Sequence, residues 1–68
     1  MEKVENKPPL RFIYTNWEGE TRERKVIPVE IWYGKTDFHP KEQWFLKAID
    51  VGKNAQRDFA INDIKKFL

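Results

Sequence analysis

The chain has 68 residues, no cysteine and no serine, and sets 13 basic against 11 acidic side chains for a formal charge of +2. That length admits one small domain, and the missing cysteine excludes a disulfide scaffold or a thiolate zinc site. No apolar run approaches the roughly 20 residues that cross a bilayer, and Met1–Lys7 lack an apolar signal segment, so a soluble, cytoplasmic protein is the expectation.

Residues 1–9 are polar, end in Pro8-Pro9 and predict a flexible lead-in to a domain over 10–68. Leu10–Trp17 is rich in aromatic and β-branched residues, the composition of a strand. Glu18-Gly19-Glu20 reads as the turn after it, with Gly19 free to take a positive φ. A second strand runs from Thr21 to Tyr33. One of its registers holds Arg24, Val26, Pro28, Glu30 and Trp32; the other holds Lys25, Ile27, Val29, Ile31 and Tyr33. The second register is apolar after Lys25, so it is expected to face the core. Pro28 cannot donate a ladder hydrogen bond and places the strand at an edge or bends it.

Gly34–Pro40 reads as a loop, and Gln43–Val51, nearly continuous in apolar residues, as a central strand. Gly52-Lys53-Asn54 turns the chain into a fourth strand, Gln56–Ile61. Asn62-Asp63 then caps a helical turn over Ile64–Leu68, whose Ile64, Phe67 and Leu68 fall at i, i+3 and i+4. Short antiparallel strands in so short a chain predict a mostly β fold, a small antiparallel β-barrel of four to five strands with a short C-terminal helical turn. Three Trp, five Phe and two Tyr supply its core, since each buries roughly 150–250 Å².

Catalytic chemistry finds little support. There is no Ser or Cys nucleophile, and the one histidine, His39, sits beside Pro40 in a loop. Asp37, His39 and Glu42 have ligand chemistry but ordinary loop composition, so neither a metal nor a cofactor is expected. Gly34-Lys35-Thr36 matches the end of a phosphate loop, without its upstream glycine or its strand-to-helix setting. The remaining signal is basic and aromatic. Arg22, Arg24, Lys25 and Arg57 fall on strands with Tyr14, Trp17, Trp32, Tyr33, Trp44 and Phe59. Guanidinium forks bind phosphates and aromatic faces stack bases.

These residues carry a resemblance. Trp44-Phe45-Leu46-Lys47-Ala48 resembles the Trp-Tyr-Leu-x-Ala signature of the WYL domain, with Phe45 in the tyrosine position. Phe12-Ile13-Tyr14 with Gly19-Glu20 is similar to the family's opening strand and turn, and Arg24–Pro28 to Arg-x-Val-x-Pro. Arg57–Ile64 fits most of Arg-x-Phe-Arg-Leu-x-Arg-Ile. The blocks stand in the family's order from residue 10 to about 66. The resemblance implies an Sm-like barrel that serves as a regulatory, ligand-sensing module, mostly in bacterial and phage transcription regulators. It also implies a nucleotide or single-stranded nucleic acid as ligand. By motif position Tyr14, Arg24, Trp44 and Arg57 would bind it.

Ala60 and Asp63 stand where the family usually has arginines, which weakens phosphate binding unless Lys47, Lys65 or Lys66 compensates. The helix-turn-helix domain that usually precedes the barrel is not in these 68 residues, so the expectation is either a stand-alone version acting on a partner or one whose ligand role has drifted. The leading expectation is a non-enzymatic binding module with Arg24 and Arg57 on phosphate and Tyr14 and Trp44 shaping the pocket. The alternative is a protein-interaction module that takes up a strand at an open sheet edge. Either would act as a monomer or a homodimer, with no membrane role.

Overall fold

A computed structural model describes residues 8–68. Five strands form one antiparallel sheet: β1 (Leu10–Thr15), β2 (Thr21–Gly34), β3 (Gln43–Asp50), β4 (Ala55–Ala60) and β5 (Ile64–Phe67). Their order across the sheet is β4-β3-β2-β1-β5. A 3-10 turn, Ile61–Asp63, joins β4 to β5, and among the described residues no helix is long and apolar enough to cross a membrane. Of the expected lead-in, residues 1–7 lie outside the described residues; Pro8 and Pro9 are exposed and in no strand.

The sheet is not closed into the expected barrel. Its edges, β4 and β5, share no ladder. They are nonetheless drawn together. Four strand spacings would hold the edges of a flat sheet about 19 Å apart, whereas the four Cα steps from Ala60 to Ile64 span at most about 15 Å. The sheet must curl. Where a ladder would complete the barrel, a side chain does part of the work: the Ala60 N–H donates to the Tyr14 hydroxyl at 3.0 Å.

The expected helical turn also gives way. Ile64 and Phe67 lie opposite Tyr14 and Phe12 on β1, and the ladder continues through the Leu68 N–H to the Arg11 carbonyl at 3.0 Å. A two-turn apolar pattern is too short to hold a helix against these partners, and the helical geometry falls three residues earlier.

The core sits inside the curl, where Phe12, Tyr14, Val26, Leu46, Ala48 and Phe59 pack together, with Leu10, Ile61 and Ile64 at its border. Phe12 meets Phe59 edge to face at 5.3 Å, and Tyr14 meets Phe59 at 5.0 Å. Neighbours along a strand point to opposite faces, so Phe45, next to Leu46, lies on the other side of β3. There it is fully buried, stacked on Trp32 at 4.8 Å and met by His39 at 5.7 Å.

The orientation of β2 departs from the expected one, reversed up to Pro28 and switched again by a bulge. Val26 is fully buried and Arg24 and Trp32 are half-buried, whereas Val29, Ile31 and Tyr33 are exposed. Before the bulge at Val29 the register of Arg24 and Val26 faces the core; after it the faces switch, so Trp32 lies with Phe45 on the other side and Ile31 and Tyr33 stand opposite Leu46 and Trp44. Arg24 pairs with Asp50, and the Trp32 indole N–H donates to Asp58 at 2.9 Å. Pro28 does both things expected of it: a bulge follows it, between Pro28 and Glu30, and it stands where β2 loses β1 as a neighbour.

Candidate functional site

Two tight turns build a cleft at one end of the sheet. In the β1–β2 turn the Asn16 carboxamide oxygen accepts from the Glu18 and Glu20 backbone N–H groups, both at 2.9 Å. Gly19 takes φ +87°, a conformation strained for any residue with a Cβ. This cage holds Trp17 at the cleft rim. After β2, the Thr36 N–H donates to the His39 carbonyl at 3.0 Å, and the His39 N–H donates back to the Thr36 carbonyl and hydroxyl. That closed loop presents Phe38. The Trp17 and Phe38 rings stack at 5.2 Å with 26° between their planes, though each is mostly exposed.

Beneath this pair is a cavity of about 380 Å³, walled by Tyr14, Phe59, His39, Arg57, Asp37 and Asp58 among others. Phe59 and Arg57 are two apart on β4 and so project from one face. Phe59 is in the core and Arg57 is exposed; among the described residues Arg57 joins no ion pair. Tyr14 is buried, and loss of water pushes its phenol above the ordinary value of 10.0, so it stays neutral while accepting from Ala60. An aromatic platform and a guanidinium without an ion pair among the described residues can hold a planar ligand that carries an anionic group, while Asp37 and Asp58 can accept from N–H donors on the ring and oppose the anion.

A second hollow of about 370 Å³ is lined by Arg22, Arg24, Lys25 and Lys53 together with Glu23 and Asp50. At its floor Arg24 Nη1 meets Asp50 Oδ2 at 3.2 Å, with side-chain exposures of 10% and 6%. Asp50 Oδ1 also accepts from the Gly52 and Lys53 N–H groups, so the carboxylate fastens the β3–β4 turn to β2. Arg24 Nε is buried without a protein partner. The guanidinium carbon lies 5.9 Å from the centre of the Phe59 ring. Phe59 lines the first cavity and Arg24 the second, and this buried contact stands between them.

Of the four residues expected from sequence, Tyr14 and Arg57 share the aromatic cavity, and Arg24 floors the basic one. Trp44 is in neither; it packs against Tyr33 at 5.2 Å on the far half of β3. Sequence reasoning missed Trp17 with Phe38 as a platform. The signal was an aromatic residue in each of two turns rich in Asn, Gly, Thr and Asp, where no core can claim it.

In comparisons with known proteins, the family model of the WYL domain matches residues 2–67. No curated protein and no solved structure matches the chain.

Proposed function

The chain belongs to the WYL domain family, whose members are regulatory, ligand-binding modules, and from that premise we propose that it is a non-enzymatic module binding a nucleotide or a short single strand of nucleic acid. The base enters the aromatic cavity against Trp17 and Phe38, and Arg57 meets the phosphate beside it. The next phosphate along a strand lies toward Arg22, Lys25 and Lys53. The observation that carries this reading is the stacked pair of Trp17 and Phe38 at a cavity that Arg57 also lines, a stacking surface beside a guanidinium. Tyr14 shapes the wall and does not stack freely, because its hydroxyl is engaged with Ala60.

The test is a titration of the amide NMR spectrum with short single-stranded DNA and RNA and with mononucleotides, at low and at high salt. Shifts gathered on Trp17, Phe38 and Arg57 that weaken as salt rises are expected. Trp17→Ala should lower affinity roughly 5- to 150-fold, the range of one lost stacking contact. Arg57→Ala should weaken binding and flatten the salt dependence by about one unit of slope. A spectrum unmoved by every ligand overturns the proposal.

A further inference from the structure

The far half of the β2–β3 hairpin takes no part in either cavity. β1 follows β2 only as far as Val26; in the same register Pro9 and Pro8 would face Ile27 and Pro28. Proline has no N–H to continue a ladder. From Ile27 to Gly34, therefore, β2 pairs with β3 alone among the described residues, and its other edge is open. Ile31 and Tyr33 are two apart on this stretch and share a face. Trp44 stands opposite Tyr33 on β3 and packs edge-on against it. Their exposures are 61%, 55% and 56%. Two large apolar side chains on this edge, with a third beside them on β3, form a flange of the kind that marks an interaction site.

We propose that this flange is the interface through which two copies of the chain pair, β2 against β2, antiparallel about a two-fold axis. Three observations favour a second copy over another occupant. The first is register. A two-fold axis perpendicular to the sheet keeps faces together, and with Trp32 at the axis each Ile31 lies opposite Tyr33 of the second copy. The two flanges then merge into one apolar surface of aromatic and β-branched cross-strand pairs. The second is charge. In that register Glu30 lies opposite Gly34, so no like charges meet. On the opposite face of the hairpin Lys47 already pairs with Glu30 at 3.5 Å, so this stretch of edge carries no uncompensated charge that would call for a partner of one sign. The third is area. Half-exposed aromatic side chains contribute on the order of 100 Å² each. The flange with Val29 and the edge backbone thus approaches the roughly 1,000 Å² that a specific pair buries in total. Pro28 and the bulge after it stop the pairing at one end, so the paired stretch is Glu30–Gly34.

The experiment is sedimentation equilibrium on the whole chain from about 5 µM to about 1 mM, spanning the affinity of a small interface. The apparent mass is expected to rise from 8.3 kDa toward twice that value. Ile31→Lys and, separately, Tyr33→Lys should each raise the dimer dissociation constant at least about tenfold, the effect of one lost anchor. Both positions are exposed, and amide dispersion in NMR should confirm that each variant is folded. A constant single-chain mass over the whole range overturns the proposal, as does association undiminished in both variants. Capture of an extended peptide by a chain that stays single would also overturn it, and would assign the edge to that peptide.

Discussion

Tyr14 and Arg24 separate two meanings of a side chain at a motif position: one that touches a ligand and one that holds the wall behind it. The Tyr14 hydroxyl is an acceptor for a buried N–H. Tyr14→Phe keeps the ring and strands that donor, so it should cost about 1–3 kcal/mol of stability in a urea melt. The phenol has a further signature. Its folded value lies above 10.0, chiefly through desolvation, so the unfolded chain loses this proton first as pH rises. Its stabilising share is therefore complete below pH 10 and is lost as pH climbs through the folded value. Wild type should lose stability in that alkaline range more steeply than Tyr14→Phe, which denaturant midpoints taken up the pH scale would reveal. Arg24→Ala leaves the Asp50 carboxylate buried without its cation, and should cost about 3–5 kcal/mol. For a domain of ordinary stability that is a large share, so Arg57, not Arg24, is the arginine whose removal tests binding alone. Both arginines were visible in the sequence; their different duties were not, because Asp50 is 26 positions from Arg24.

At the scale of elements, β1 to β4 were legible to within a few residues, since local composition and turn chemistry agree there with the sheet that forms. The orientation of β2 was not. Its alternation is real, but the bulge at Val29 switches faces: Arg24 meets Asp50 on the core side, Trp32 meets Asp58 on the other, and Ile31 and Tyr33 project as a flange. Period-2 patterning tells that two faces differ and not which of them is covered. The last segment failed for a related reason: the same Ile64 and Phe67 satisfy a short helical spacing and a strand beside β1. The cleft was half legible, Tyr14 and Arg57 through strand motifs, while Trp17 and Phe38 belong to turns brought together only by the fold. One glycine shows how tightly the elements are fitted. A Cβ at Gly34 would stand 2.6 Å from the Trp32 ring, and that ring is held by its stack on Phe45 and its bond to Asp58. Gly34→Ala should therefore lower the thermal midpoint by several degrees, the response to roughly 1–3 kcal/mol of overpacking. A scan by circular dichroism checks it.

Across the whole molecule, the cleft and the flange use different parts of β2 and β3. The two proposed contacts should then be independent: Ile31→Lys should bind oligonucleotide as wild type does, a comparison that one titration of each protein settles. The sheet order carries a further consequence, in time instead of space. β1 to β4 are a meander in which each strand pairs with its neighbour in the chain; β5 alone pairs far back, with β1. Closing that long loop is the slow, entropically expensive step, so the meander should form first and β5 dock last. The reverse order governs opening. A four-residue strand with one exposed flank is the segment to leave first by a local excursion. Its departure would uncover Phe12 and the β1 edge while the rest of the sheet stays paired. Hydrogen exchange should accordingly find the β5 amides the least protected in the sheet and those shared by β2 and β3 the most, a gradient along which this small protein breathes.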